Sequence, residues 1–238
     1  MLRIFQKGFN YSEDGEGNRL VYHLSGCQMT CPWCANPEGM SGEGGESVSE
    51  EAVTREILSA RPLYFDGGGV TFTGGECTLQ AESLLCVIEA VKKQGVSVAI
   101  ESNTSSPAFL RVAEACDILI LDYKSPDAEK LRRVTGGDLP RIENNIRTVI
   151  ANKCLHLRIP VIHGFNDSDE DLDGFLAFLT SLPADRFDLE LLPYHEYGKE
   201  KWEKLGKAYT VEDGFVDKAQ LRAWEARFAE RGITVIHT

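Results

Sequence analysis

RLVYHLSGCQMTCPWC, residues 19–34, joins an apolar run that reads as a strand, Arg19 to Leu24, directly to a loop carrying thiols at Cys27, Cys31 and Cys34. The intervals are four and three residues. A loop this short can turn three soft thiolates toward one point, a donor set suited to an iron-sulfur cluster or to zinc. Three protein ligands would leave one iron of a cubane cluster open to a substrate. Structural zinc needs a closed fourfold site. Cys31 and Cys34 form a CxxC pair, no second CxxC or HxxxH follows, and Cys77 is the remaining candidate for a fourth ligand. The triplet by itself fixes a soft-metal site and leaves both metals open.

Working outward, apolar strand-like runs alternate with amphipathic helical stretches, the pattern of a parallel sheet wrapped by helices. The expected strands are Arg19 to Leu24, Gly69 to Thr73, Val96 to Ile100, Ile118 to Leu121, Leu155 to Val161, Phe187 to Leu192 and a closing Ile233 to Ile236. Ser49 reads as an N-cap followed by Glu50 and Glu51. Leu84, Leu85, Ile88 and Val91 form a stripe stopped by Lys92, Lys93 and Gly95. Asp167 and Ser168 cap a stripe of Leu172, Phe175, Leu176 and Leu179, and Leu221, Trp224 and Phe228 form the last, closed by Gly232. Six βα units predict an α/β fold, a partial (β/α)6 TIM-like barrel. It reads as a single domain over 1–238, with a core of about 19–195 and a C-terminal extension, 196–238. The glycine-rich stretch 35–46 reads as mobile.

Composition narrows the function. The chain has 238 residues, 42% of them apolar, enough for one large core. A net charge of -12 disfavours a phosphate-backbone ligand, so nucleic acid is not expected as partner. The start, MLRIFQKGFNYSED, has no apolar leader, and no apolar run approaches the roughly 20 residues of a membrane span. A cytoplasmic protein is expected. Seven cysteines without an export signal point to metal or redox use rather than a disulfide framework.

CxxxCxxC with an aromatic residue, Trp33, before its last cysteine resembles the radical S-adenosylmethionine (radical SAM) superfamily. The segments DGEGNR, GGGVTFTGGE, IESNT, LDYK, LHLRIPVI and LLPYHEYGKEKW, spanning 14 to 202, are similar to the activating enzymes of glycyl radical enzymes. Within these the likeness is to the pyruvate formate-lyase activating type. The resemblance implies one 4Fe-4S cluster on Cys27, Cys31 and Cys34, with S-adenosyl-L-methionine chelated to the open iron. Reductive cleavage would give methionine and a deoxyadenosyl radical that removes a Cα hydrogen from a glycine of a partner protein. No cysteine lies between Cys34 and Gly74, so no inserted ferredoxin-like domain is expected, and the reductant would be an external flavodoxin or ferredoxin. A monomer working anaerobically is implied. A radical enzyme acting on a small molecule, such as a deazaguanine-type synthase, and a zinc-stabilised binding module are the competing readings.

The same resemblance carries roles onto individual residues. Trp33, Gly74, Gly75, Glu76, Ser102, Asn103, Asp122, Lys124, Arg158 and His195 would surround S-adenosylmethionine. Glu101, Ser102 and Asp122 would hold a monovalent cation, with Glu101 standing where the family usually has aspartate. Asp14 and His195 would meet the substrate glycine loop, although the usual DGPG is here DGEG. Arg158 sits in an alternation of apolar residues, where a charge needs a partner. Each candidate is expected at the C-terminal end of a strand, where barrel sites assemble.

Overall fold

A computed structural model describes residues 1–238 and divides the chain into two compact units. The first comprises Met1–Gln28 and Asn36–Ile120, the second Met29–Ala35 and Leu121–Thr238. The division passes through the cysteine triplet, assigning Cys27 to the first unit and Cys31 and Cys34 to the second.

The first unit contains β1 (Leu2–Tyr11), β2 (Asn18–Leu24), β3 (Glu46–Val48), α1 (Glu50–Ser59), β4 (Gly69–Gly74), α2 (Ala81–Lys92), β5 (Ser97–Ser102), α3 (Phe109–Ala115) and the start of β6 (Ile118–Asp122). Its strands lie in the order β3-β1-β2-β4-β5-β6. β2, β4 and β5 are parallel, and β1 runs antiparallel to both β2 and β3. Val70, Thr71 and Phe72 on β4 and Val98, Ala99 and Ile100 on β5 are fully buried in succession, as expected for parallel strands covered on both faces. The caps follow the sequence: the Ser49 side chain accepts from Ala52 N, and Gly95 stops α2 with φ +75°.

The second unit contains α4 (Ala128–Thr135), α5 (Leu139–Ile150), β7 (Leu155–Val161), α6 (Asp169–Leu179), β8 (Phe187–Pro193), α7 (Lys199–Lys204), α8 (Lys218–Glu230) and β9 (Thr234–Val235). β7, β8 and β9 are parallel neighbours. Ser168 and Asp171 form a reciprocal capping box on α6, and Leu172, Phe175 and Leu179 turn inward from it.

The α/β alternation with parallel strands is the one expected. Two strands were not. β1 escapes a hydrophobicity reading because Gln6 through Phe9 are exposed, and β3 has only three residues. The stretch 35–46 is not the loose loop its glycines suggest. Residues Pro37–Met40 form a 3-10 turn, and the carbonyls of Gly39 and Met40 accept from Gly26 N at 2.8 Å and Cys27 N at 3.3 Å. No helix is long and apolar enough to cross a membrane.

Candidate active site

In the first unit, β2 and β4 end in register, Leu24 opposite Gly74. Beyond that line Gly75 N donates to Leu24 O at 2.9 Å and Glu76 N to Gly26 O at 2.7 Å. Gly74 has φ +118°, a conformation that only glycine adopts without strain. A Cβ on Gly75 would stand 2.3 Å from Gly26 O and 2.4 Å from Gly39 O. Backbone therefore meets backbone on two sides of Gly75, and packing alone requires the glycine. The interlock seats the segment from which Cys27 projects.

Glu76 is fully buried. Its carboxylate accepts from Thr78 N and Oγ1, from Ser102 Oγ at 2.9 and 3.0 Å, and from Asn103 N at 2.8 Å. Burial drives its pKa up, against those hydrogen bonds. Glu76 thus works as an internal strut joining the GGE turn to the end of β5.

Asn103, just past β5, has its Oδ1 taken by Gln28 Nε2 at 3.0 Å, Ser105 N at 3.1 Å and Ser105 Oγ at 2.9 Å. Its Nδ2 lies 3.6 Å from Cys27 Sγ. Thr104 follows with φ +59° while buried, an unfavourable conformation for a β-branched residue that persists only where the surroundings enforce it. Ser102 Oγ also accepts from Thr104 N, and Glu101 Oε2 accepts from Thr73 Oγ1 at 2.8 Å. Cys77 is fully buried and its thiol donates to Glu101 O at 3.5 Å. Burial, with Glu76 beside it, raises that thiol well above its ordinary value, so Cys77 is a packing residue rather than a reactive thiol or a ready fourth zinc ligand.

In the second unit Cys34 N donates to Cys31 O at 3.1 Å, which closes a tight turn. Trp202 Nε1 donates to Cys34 O at 3.0 Å, and Gly198 packs so closely that a Cβ there would sit 2.2 Å from the same oxygen. The HEYGKEKW segment thus seats the backbone of Cys34. The Trp33 ring packs at a tilt of 44° against Phe165, with centroids 4.6 Å apart. His195 lies under the exposed Tyr197 ring at 4.2 Å, and its Nδ1 accepts from Tyr197 N at 3.4 Å. Burial lowers its pKa, favouring the neutral ring. Lys124 pairs with Asp122 two residues away on β6.

Arg158 and His156 on β7 stand opposite Glu190 and Asp188 on β8. Arg158 Nε donates to Glu190 Oε2 at 3.0 Å, and His156 bridges Asp188 and Glu190. Glu190 Oε1 accepts from Thr238 N at 2.9 Å and Thr238 Oγ1 at 2.7 Å. Burial alone would raise Glu190, but the hydrogen bonds from His156 and Thr238 and the charge of Arg158 bring it down to about 2. Burial pulls His156 down, yet its bonds to Asp188 and Glu190 prevail and raise it. The signs give a stability window. Glu190's contribution is complete above the ordinary carboxylate range and is lost as pH falls toward about 2. The contribution of His156 is complete below about 6.5 and is lost as pH rises through its raised value. Thermal denaturation followed against pH is expected to show Glu190→Gln removing up to ~3 kcal/mol from the acid limb, and His156→Gln flattening the alkaline limb. Unchanged limbs in both variants would contradict this account.

Two candidates depart from the expected placement at strand C-terminal ends: Arg158 stands in the middle of β7, and so does not end its strand, and Asp14 lies before the start of β2. Asp14 follows β1 and precedes β2, so it lies at the opposite edge from Leu24, a strand length of about 20 Å. There it accepts from Asn10, and its carbonyl takes Thr71 Oγ1 at 2.7 Å. The fully buried Arg19, which sequence reasoning passed over, closes this edge through Thr71 Oγ1 at 2.7 Å and Val70 O at 2.8 Å. Its burial lowers the guanidinium to about 10. Gln28, Glu190, Gly198 and Trp202 were also missed as supports, because their partners are far away in sequence.

No disulfide joins any of the seven cysteines. Three soft thiols on one loop, with an amide N–H aimed at the first of them, are a donor set that fits an iron-sulfur cluster.

Comparison with known proteins agrees. Residues 21–176 match the radical SAM superfamily. The chain is 33% identical to pyruvate formate-lyase 2-activating enzyme of Escherichia coli, over 90% of this chain and 84% of that protein. It is 30% identical to the 4-hydroxyphenylacetate decarboxylase activating enzyme of Clostridioides difficile, over 92% and 90%. A solved domain of pyruvate-formate lyase-activating enzyme from Bacteroides vulgatus superposes with a TM-score of 0.58 at 26% identity, covering 71% of this chain and 98% of that one. The chain belongs to the radical SAM superfamily, as an enzyme working with a 4Fe-4S cluster and S-adenosylmethionine, and stands among its activating enzymes.

Proposed function

We propose that this chain activates a glycyl radical enzyme by removing a Cα hydrogen from one glycine of that partner. The observation that carries the reading is the likeness, over most of both chains, to activating enzymes for two different targets. Cys27, Cys31 and Cys34 hold the cluster. When bound, the cluster and S-adenosylmethionine supply the reductive carbon–sulfur cleavage and the hydrogen abstraction.

The chain's own residues bind, orient and exclude water. Arg158, fixed at Nε by Glu190, offers its charge to the cofactor carboxylate. His195 accepts at Nδ1, so the neutral ring carries its proton on Nε2 and donates from there. Lys124, with Asp122 beside it, and Trp33 line the cofactor. Gly74, Gly75, Glu76, Ser102 and Asn103 shape its binding edge through the strut described above. A monovalent cation held by Glu101, Ser102 and Asp122 belongs to this reading, as the resemblance implies. The reductant is an external flavodoxin or ferredoxin, and the enzyme is a cytoplasmic monomer. His195 meets the glycine loop of the partner, and Asp14 shapes the turn at the far edge.

The test is electron paramagnetic resonance of the reduced, reconstituted protein with S-adenosylmethionine and candidate partners. Pyruvate formate-lyase and 4-hydroxyphenylacetate decarboxylase come first. A glycyl doublet in one of the candidates is the expected result. Deoxyadenosine formation without a doublet in any candidate would favour a small-molecule substrate.

A further inference from the structure

The side-chain amide of Asn103 has one orientation that satisfies its neighbours. Gln28 Nε2, Ser105 N and Ser105 Oγ all converge on Oδ1. Exchanging oxygen and nitrogen would set an NH2 group against two N–H donors, so the amide N–H must face Cys27 Sγ. The backbone holds it there. Asn103 N is bound to the buried Glu76 carboxylate, and the next residue, Thr104, is in the left-handed region at φ +59°. Asn103 is buried, whereas Gln28, which braces it, is exposed and directly follows Cys27.

We infer that Asn103 is a positioning and tuning residue for the Cys27 thiolate, donating a hydrogen bond to its sulfur and thereby raising the reduction potential of the cluster. This rests on Cys27 being a cluster ligand. Negative charge on a ligating sulfur grows when the cluster takes up an electron, and an N–H aimed at that sulfur stabilises the reduced form. The role differs from the S-adenosylmethionine contact implied by resemblance: Oδ1 is occupied within the protein and Nδ2 is turned to sulfur. Gln28 acts through Asn103 by fixing the rotamer.

Potentiometry of the reconstituted protein without S-adenosylmethionine separates the two roles. Asn103→Leu, of similar size and without a donor, is expected to bind as much iron as the wild type. Its midpoint should move to lower potential, so that at the wild-type midpoint the reduced-to-oxidised ratio falls about tenfold, a shift of 59 mV for one electron. Gln28→Leu should move it the same way by less. An unchanged potential with weakened S-adenosylmethionine affinity in Asn103→Leu would overturn the inference and assign the amide to the cofactor. Should Asn103→Leu fail to fold, Gln28→Leu at its exposed position decides: a lowered potential supports the inference and an unchanged one overturns it. Failure of the underlying reading looks different, since Cys27→Ala would then keep the wild-type iron content and potential.

Discussion

Alanine at Cys27, Cys31 or Cys34 is expected to reduce S-adenosylmethionine cleavage to background, while Cys86→Ala retains it. All four residues are cysteines in a chain without disulfides, so the contrast isolates position from chemistry. Removing one thiolate from a three-thiolate set takes away a bond to iron that no nearby group replaces. Cys77 cannot step in, because its thiol is enclosed and committed to the Glu101 carbonyl. Cys86 lies exposed on α2, with no part in the strand-end machinery. Deoxyadenosine release measured with iron content checks the prediction, and both should fall together in the first three variants. Equal loss in all four would undermine the cluster assignment.

The parallel strands were legible because their buried residues form short apolar runs or alternations bounded by turn residues. Leu155 to Val161 was read with its observed ends, and the others to within one or two residues. The polar strand β1 and the three-residue β3 carry no such signal. Helix α5 did carry one: Asp138 caps it, Pro140 stands in its first turn, and Ile142, Ile146 and Val149 are buried. At the site, local spacing disclosed the thiols and the GGE turn. Spacing could not show which groups support them. Asn103 reaches Cys27 across 76 residues and Trp202 reaches Cys34 across 168. Such pairings exist only once the strands are in register. Resemblance assigned Glu76 and Ser102 to the cofactor, and the structure adds that they bond to each other.

That strut makes Gly75→Ala a strongly destabilising substitution. The new Cβ would meet the carbonyl oxygens of Gly26 and Gly39 at 2.3 and 2.4 Å, and neither wall is a flexible side chain that could swing away. Relief requires moving the GGE turn, which strains or breaks the bonds Gly75 N to Leu24 O and Glu76 N to Gly26 O. Overpacking together with lost backbone bonds in a buried setting costs about 3 kcal/mol. For a chain of this length that corresponds to a fall of roughly 6–12 °C in Tm. Gly42→Ala is the control, because a Cβ there meets nothing within 4 Å. The displacement also reaches the cluster loop, since Gly26 precedes Cys27 and Glu76 holds Asn103. Gly75→Ala should therefore lose iron on reconstitution as well as Tm, whereas Gly42→Ala keeps both. A wild-type Tm in Gly75→Ala would mean that the turn tolerates displacement and that the glycine is there for the cofactor instead.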